Sequence, residues 1–308
     1  FGTTDNRTLN TQDLYFQPTV TKSGENTIVS MKLKVSEAKF LEYRYELKPN
    51  DYMFGFTVKS QGLSDVINSS QEVNLDWKLK SIRHAKSVSY ENRYTEVVYE
   101  YDGGKDDYRG QQELTDDTEP DVTYVAYKQH FFTSILLADA PFKTGTFESK
   151  NLVKDEEIDT VFTKTFTSKL TLELEGGELN KSMDLYYGPS DYKILNNYDR
   201  NLDEVIPLGW GIFGWINRYI FIPVFGFLIT FLPHGISIVV MTILVRLVMS
   251  PVTYKSYLSQ AKMKVLKPEI TEINEKYKDN AMKKQKETMA LYSKAGASPM
   301  AGCLPALM

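Results

Sequence analysis

The chain has 308 residues, of which 42% are hydrophobic and 25% are charged, and its formal net charge is −4. This is the composition of an ordinary globular protein with room for one or two hydrophobic cores. The single cysteine, Cys303, excludes an intrachain disulfide, so cysteine usage does not identify the redox compartment.

The charges are distributed unevenly along the chain. Residues 211–250 contain only two charged side chains, those of Arg218 and Arg246, while residues 251–308 contain ten lysines against five acidic residues. The first 210 residues therefore carry a net charge of −11. Basic flanks collect on the cytoplasmic side of membrane helices. We therefore expect the basic segment inside the cell and the acidic domain outside it.

Both chain ends look as if they continue into further sequence. No secretory signal peptide precedes the polar N-terminal residues, although a domain outside the membrane needs an export signal. We therefore expect sequence before Phe1. At the other end, GCLPALM opens a new apolar run, which predicts that residues 298–308 begin another transmembrane helix.

Residues 1–200 alternate between apolar and polar side chains, which is typical of half-buried antiparallel strands. In VSMKLKV, the apolar face comprises Val29, Met31, Leu33 and Val35, and in LTLELEGG it comprises Leu170, Leu172 and Leu174. The pair Gly176–Gly177 predicts a turn. Many such runs, separated by polar stretches, predict one large antiparallel β-sandwich domain.

Residues 201–234 predict a linker followed by an amphipathic helix at the outer membrane surface. The aromatic side chains of Trp210, Trp215 and Tyr219 suit the headgroup boundary, and Arg218 would face water. A spanning helix that forms a hairpin with the next one is the alternative. It would put the β-domain and the basic segment on the same side of the membrane.

Residues 235–254 predict a transmembrane helix, because a span of roughly 17 to 25 apolar residues crosses a bilayer core. Arg246 lies near its middle, where a charge costs about 2.5 kcal/mol or more. Thr242, Arg246 and Ser250 recur at helical spacing and form one polar stripe. Two interpretations remain: a functional cation on a wet face of the helix, or an arginine that snorkels or pairs with a carboxylate on another helix.

Residues 255–297 predict a basic helical hairpin. Leu266, Ile270, Ile273 and Tyr277 form one helical stripe, and Met282, Gln285, Met289 and Tyr292 form the second. Pro268 is expected to kink the first helix, and Gly296 and Pro299 to end the second. The lysines, among them Lys262 and Lys264, are explained by a solvated face and a topology signal. The sharper hypothesis is a docking surface where exposed Met282 and Met289 contact apolar segments of a partner.

The sequence contains no metal-ligand cluster, phosphate loop, catalytic triad or nucleic-acid-binding stripe. We therefore predict a protein that is not an enzyme, has no cofactor and does not bind nucleic acid directly. A membrane-tethered, carbohydrate-binding, mutarotase-like sandwich is the alternative function. It is poorly supported, because the domain offers only His84 and His130 with scattered acids. His130 is expected to be a packed sheet residue, and the sequon at Asn68 a turn.

The stretches ILVRLVMSPVTYKSYLSQAKMKVLKPEI and MALYSKAG, with GCLP after them, resemble the YidC/Oxa/Alb family of membrane protein insertases. YVAYKQHFFTSIL and LYYGPSDY resemble the periplasmic domain of its bacterial members. The resemblance implies a β-supersandwich, then an interfacial helix, the arginine-bearing transmembrane helix and a cytoplasmic hairpin. It also implies a fragment without the N-terminal anchor and the C-terminal transmembrane helices.

The same resemblance implies function. Members insert and help fold nascent inner-membrane proteins through a hydrated groove, alone or with the Sec translocon (SecYEG and SecDF). Arg246 falls on the groove arginine of the family, and Thr242 falls on a position that contacts the inserting chain. The implied surroundings are the bacterial inner membrane and its lipids, with the ribosome and the signal recognition particle as further candidate partners.

Overall fold

The structure is a computed structural model that describes residues 1–110, 112–159, 161–278 and 280–296. It divides into two compact units, Phe1–Pro207 and a unit that begins at Leu208. The first unit extends beyond the predicted domain end at residue 200, because Leu202 and Val205 are buried in it.

The first unit is built almost entirely of strands. Its strands are β1 (Gln17–Ser23), β2 (Asn26–Lys34), β3 (Phe40–Leu47), β4 (Met53–Gln61), β5 (Val73–Ile82), β6 (Glu96–Tyr101), β7 (Lys105–Arg109), β8 (Leu114–Lys128), β9 (Phe132–Asn151), β10 (Phe162–Leu172), β11 (Leu174–Glu175) and β12 (Glu178–Pro189). Two short helices, α1 (Val88–Tyr94) and α2 (Tyr192–Asn196), and 3-10 turns at Thr11–Asp13 and Leu202–Val205 complete it.

All paired strands are antiparallel, and the long strands β8 and β9 connect two layers. The first layer has the order β1-β2-β3-β4-β12-β9-β8-β6-β7, and β10 and β5 extend from β9 into the second. β9 pairs with β12 over 132–138 and with β10 over 145–151. Between these stretches its register against β8 shifts, where Val122 faces Phe142 but Tyr124 faces Leu137. The extra residues bend β9 from one layer to the other, as bulges do.

Tyr127 of β8 joins the two layers at the centre of the main core. Its ring stacks on Trp77 of β5 at 4.2 Å and on Phe166 of β10 at 5.1 Å between centroids. Its hydroxyl lies 2.7 Å from both the Trp77 carbonyl oxygen and the Ser168 Oγ. Burial raises the pKa of the Tyr127 hydroxyl. The predicted antiparallel β-sandwich is therefore confirmed, with side chains of both layers interleaved in one core.

The predicted apolar residues of β10 and β11 are buried or half-buried, although Thr171 between them is buried too, and in β2 all residues from Asn26 to Leu33 are half-buried. Leu170 and Leu172 are buried, and Gly176 and Gly177 form the predicted turn with φ of 59° and 81°. Such positive angles in both central residues are those of a tight hairpin turn. Val35, expected on the buried face of β2, is 69% exposed. The strand ends at Lys34, and the Val35 amide donates instead to the Lys39 carbonyl.

The second unit is helical. It contains α3 (Gly211–Ile216), a π-helical turn (Asn217–Phe221), α4 (Ile222–Leu228), α5 (His234–Val265), α6 (Lys267–Lys276) and α7 (Ala281–Ala295). Two segments, Gly211–Leu228 and His234–Val265, are long and apolar enough to cross a membrane. The predicted transmembrane segment 235–254 lies within α5. The helix continues past residue 254 without a break, so the boundary with the predicted hairpin at 255–297 stays a prediction.

In this unit one proline signal gives a different result from the one predicted, and one glycine signal ends its helix as predicted. Pro268 does not kink a helix: it lies in the first turn of α6, where the missing N–H costs nothing. Gly296 ends α7 as predicted, with a left-handed φ of 58°. The second predicted terminator, Pro299, and the predicted helix start at 298–308 lie outside the described residues.

A buried cation anchors α1 against β10 in the first unit. Lys164 is only 2% exposed, and its Nζ donates to the carbonyl oxygens of Asn92 at 2.7 Å and Thr95 at 2.5 Å. Beside it, the buried Lys128 forms an ion pair with Glu96 at 2.6 Å. Desolvation by burial lowers the pKa of the Lys164 ammonium to about 8, although the Glu96 charge opposes this.

The titration of Lys164 should be visible in the stability of the β-sandwich. Because its pKa is lower in the folded chain than the ordinary value near 10.4, the unfolded chain binds more protons between about pH 8 and 10. Stability should therefore rise with pH in this range, by roughly 2 to 3 kcal/mol. We expect the free energy of urea unfolding of the wild type to gain this amount relative to Lys164→Met, measured by circular dichroism.

The matched control is Lys169→Met, which removes an exposed lysine from the same strand. Its difference from the wild type should stay nearly constant over the same range. A constant difference for Lys164→Met would show instead that the buried ammonium keeps its proton.

Candidate substrate-contact site on helix α5

Arg246 lies in the interior of the longest helix of the chain. At about 1.5 Å per residue, α5 is roughly 48 Å long, and Arg246 is about 18 Å from its first residue, His234. A bilayer core is about 30 Å thick. A span that starts near His234 therefore places Arg246 inside the apolar layer, and the helix emerges on the far side.

The three predicted groove residues lie on successive turns of α5, and all three side chains are exposed. Thr242 donates its hydroxyl to the Ile238 carbonyl oxygen at 2.8 Å, which leaves its oxygen free to accept. The structure thus brings Thr242, Arg246 and Ser250 together as one stripe. Within the described ranges, no ion pair or hydrogen bond to the Arg246 side chain is present.

The polar stripe lies beside the packed face of α5. Ser237 is buried. Met241, Val245 and Met249 are half-buried, and each of them directly precedes one residue of the stripe. One residue corresponds to about 100° around a helix axis. The helix thus has a packed face, a polar flank beside it and an apolar surface on which Ile243 and Val248 are exposed.

The acidic residues that could neutralise Arg246 are distant in sequence. Residues 205–268 contain no Asp or Glu. One turn after Arg246, Pro251 has no N–H, so the Leu247 carbonyl has no intrahelical donor. In an apolar layer such a carbonyl needs water or a neighbouring polar group. The stripe and this carbonyl are thus the polar groups of the middle of α5.

The hairpin stripes predicted from the sequence are confirmed for α6 but not for α7. Leu266, Ile270, Ile273 and Tyr277 are half-buried. On α7 the half-buried face instead contains Thr288, Leu291, Tyr292 and Ala295, while Met282 is 83% and Met289 is 54% exposed. Helical spacing alone does not show whether a methionine lies on the packed face or on the exposed face of a helix. Both remain candidates for contact with apolar partners.

Lys262 has a structural contact that the sequence did not indicate. Its Nζ lies 3.4 Å from the carbonyl oxygens of Ala295 and Gly296, at the C-terminal end of α7. Cations stabilise helix C-termini by interacting with the last, unpaired carbonyls. Lys264, two residues later, is exposed. The two predicted hairpin lysines are therefore not equivalent.

The segment before α5 presents aromatic side chains on its surface. Trp210 is 82%, Trp215 56% and Tyr219 61% exposed, and the rings of Trp215 and Tyr219 are 5.8 Å apart. Asn217 opens the π-helical turn, and its Nδ2 donates to the Leu208 carbonyl at 2.6 Å. These features fit the predicted interfacial helix, but the segment is also long enough to span.

The notable polar residues of the β-sandwich unit make structural contacts. In the part of the chain that the structure describes, no group of three or more His, Cys, Asp or Glu side chains could hold a metal ion. His130 lies in the turn between β8 and β9, not in a strand as expected, and packs against Tyr90, Tyr94 and Phe131. Asn68 lies in the expected turn, where its Oδ1 accepts from the Ser70 amide.

A large β-sandwich followed by apolar helices and a basic hairpin defines a membrane-anchored β-sandwich protein. Two family models together cover nearly the whole chain. The model described as YidC periplasmic domain matches residues 1–223, and the model described as 60Kd inner membrane protein matches residues 227–308. The chain therefore belongs to the YidC family, and this membership together with its apolar helices supports a location in the inner membrane.

Curated relatives support this assignment along the full chain. Proteins called membrane protein insertase YidC from Parabacteroides distasonis and Phocaeicola vulgatus are both 37% identical, over 99% and 98% of this chain. The corresponding protein of Porphyromonas gingivalis is 35% identical over 99%. The chain covers 49%, 50% and 50% of these three relatives, so it spans about half their length.

A solved structure, the galactosidase domain of an alpha-galactosidase-sucrose kinase, is similar over 58% of this chain and 26% of its own. The identity is 11% and the TM-score is 0.31. Such a likeness carries no conclusion about carbohydrate binding.

The contact of Lys262 with the end of α7 gives a testable difference between the two hairpin lysines. Lys262→Ala should increase amide hydrogen exchange in the last turn of α7 about two- to fivefold, because a cation at a helix C-terminus contributes some tenths of a kcal/mol. Lys264→Ala should leave this exchange unchanged. Equal effects of the two substitutions, measured by mass spectrometry, would contradict the capping role.

Proposed function

We propose that this chain is the groove-bearing part of a membrane protein insertase, which inserts and helps fold nascent inner-membrane proteins. The observation that carries the proposal is Arg246: an exposed cation without a partner among the described residues, in the middle of a long apolar helix. Membership of a family whose relatives are called insertases supports it.

The groove would act by lowering a desolvation barrier. A nascent segment must move a polar tail across the apolar layer, where each unsatisfied polar group costs several kcal/mol. Water held along Thr242, Arg246 and Ser250 reduces this cost over part of the path. Arg246 also attracts acidic side chains of the tail, since opposite charges 4 Å apart gain about 4 kcal/mol at an effective dielectric constant of 20. The hydrophobic part of the substrate then leaves sideways into lipid.

The charge distribution supports an orientation for the groove. The basic excess after residue 251 supports a hairpin in the cytoplasm, and with a single crossing the acidic β-sandwich, with its net charge of −11 over residues 1–210, would then lie in the periplasm. Gly211–Leu228 then lies along the outer surface, since a second crossing would bring both domains to one side. The family model that covers the sandwich is described as periplasmic, which supports the same orientation.

The hairpin would meet substrates before they reach α5. Exposed Met282 and Met289 offer flexible apolar contacts, and the surrounding lysines suit acidic or nucleoprotein surfaces. A ribosome, the signal recognition particle and the Sec translocon (SecYEG and SecDF) are the partners we propose for the whole protein, which would act alone or beside that translocon. No cofactor is part of the proposed mechanism.

The role of Arg246 is tested with two substrates that differ only in the charge of their outer tails. The full-length protein carrying Arg246→Ala should insert a small substrate with an acidic outer tail about tenfold more slowly, because it loses the attracting cation. A substrate whose tail acids are replaced by amides should be much less affected. Insertion is measured by protease protection after depletion of the host insertase.

Arg246→Lys and Thr242→Val serve as companion variants. The lysine variant keeps the positive charge and should retain most of the activity on the acidic tail. The valine variant removes a hydroxyl without changing charge and should affect both substrates equally. Full activity of Arg246→Ala on the acidic tail would refute the electrostatic part of the proposal.

The role of the hairpin lysines in insertion is tested separately from their role in membrane topology. Replacing Lys264, Lys276, Lys278, Lys283, Lys284 and Lys286 by glutamine, while Lys255 and Lys262 are kept, should preserve topology but reduce insertion several-fold. The two lysines that are kept lie near the C-terminal end of α5, so they retain the positive-inside signal. Topology is read by labelling of introduced cysteines. Unchanged insertion with unchanged topology would leave the lysines as a solvated face only.

A further inference from the structure

The chain makes a tight turn at the start of the helical unit, over residues 208–217, which we call the entry turn. Gly209 has a φ of 94° and Gly211 a φ of 59°, both in the left-handed region that favours glycine. Trp210 between them is extended, with a φ of −97° and a ψ of 151°. The chain thus changes direction twice within three residues, and residues 208 and 209 lie back against α3.

Gly214 lets the backbone of Gly209 approach α3. A Cβ atom on Gly214 would lie 2.3 Å from the Gly209 carbonyl oxygen and 3.2 Å from its carbonyl carbon. Both atoms belong to the backbone, so they cannot move aside as a flexible side chain would. Glycine within a helix is less favourable than alanine. Its presence at position 214 is explained by this close approach.

Asn217 holds the entry turn from the other side of α3. Its Nδ2 donates to the Leu208 carbonyl oxygen at 2.6 Å, nine residues earlier in the chain. Leu208 precedes the helix, so its carbonyl is not part of the helical hydrogen-bond ladder. Asn217 is half-buried, and it is also the first residue of the π-helical turn. One side chain therefore ties the chain before α3 to the point where the helix changes its hydrogen bonding.

A second polar side chain fixes the other end of the segment that the entry turn begins. The buried Ser237 donates its hydroxyl to the carbonyl oxygens of Leu232 and Pro233, at 3.3 Å and 3.2 Å. These residues form the bend between α4 and α5, and α4 also contacts α5. The direction of the segment Gly211–Leu228 therefore bears on the direction of α5, the helix that carries Arg246.

We propose that Asn217 is a positioning residue of the insertase. Together with Gly209 and Gly214 it fixes the entry turn, and the fixed turn sets the rotation of the segment Gly211–Leu228. Through the bend at Ser237, that segment sets the tilt of α5 and hence the depth of its polar stripe. The inference rests on the proposed insertase function, but it does not depend on the charge of Arg246.

A helix that only floats on a membrane surface does not need these contacts. The apolar face of such a helix sets its rotation by itself. It gains nothing from a bond to the chain that precedes it, and alanine would suit position 214 better than glycine. The entry turn instead combines two left-handed glycines, a backbone contact that excludes any Cβ and a side-chain bond over nine residues.

The entry turn itself is tested with a spin label. A nitroxide is attached to Ile212→Cys, a position that is 68% exposed, in the full-length protein with its native cysteines replaced by serine and in lipid nanodiscs. Gly214→Ala should raise the rotational rate of the label at least twofold, although alanine is the better helix former. Gly235→Ala is the matched control, because nothing lies within 4 Å of the added methyl group, and it should leave the spectrum unchanged.

The positioning role is tested by insertion of the two substrates with acidic and amide tails. Asn217→Leu removes the donor at similar volume and should slow insertion of both substrates about fivefold, because position rather than charge is lost. Asn217→His places an N–H of its ring close to where the amide donates, and it should restore insertion to within twofold of the wild type. A residue that only fills space would not show this rescue. Circular dichroism confirms that the variants fold.

Three results would overturn the proposal. They are a Gly214→Ala variant whose spectrum and insertion match the wild type, an Asn217→His variant as slow as Asn217→Leu, and a defect of Asn217→Leu that is confined to the acidic tail. The Gly214 comparison decides the matter even if Asn217→Leu fails to fold. Full activity of Arg246→Ala would refute the electrostatic role of the groove and leave these expectations unchanged.

Discussion

A guanidinium in the apolar interior of a membrane is stable only if something solvates it. For Arg246, an ion pair within the neighbouring sequence is not available, because residues 205–268 contain no acid. Solvation must come from water, from lipid headgroups, from other parts of the protein or from a passing substrate. The rest of the helical unit is consistent with this requirement: hydroxyls flank the arginine, and Pro251 leaves the carbonyl of the next residue, Leu247, without its intrahelical donor. The proposed groove would meet this requirement, because it supplies polar surroundings where lipid supplies none.

The β-sandwich is held together by contacts between its two layers. Its centre is filled by interleaved side chains such as Tyr127, Trp77 and Phe166. The Tyr127 hydroxyl bonds both the Trp77 carbonyl and Ser168, so the polar groups at this point of the core have partners.

Much of the fold could be predicted from the sequence because periodicity reports burial directly. Alternation at Leu170 and Leu172 predicted strands, the Gly176–Gly177 pair predicted their turn, and the spacing of Thr242, Arg246 and Ser250 predicted a stripe. The features that could not be predicted from the sequence depend on contacts between distant residues. Lys262 meets the end of α7 across more than thirty residues, and Lys164 bonds carbonyls of α1. On α7, the packed face could not be told from the exposed methionines by spacing.

Pro251 has a mechanical consequence for α5. It lies between Arg246 and the hairpin, at a point where one hydrogen bond of the helix is missing and bending is easiest. The helix then ends at Val265, and α6 begins at Lys267. A change in the angle of the hairpin is therefore absorbed at the proline and at the end of α5, and the turns that carry Thr242 and Arg246 are spared it.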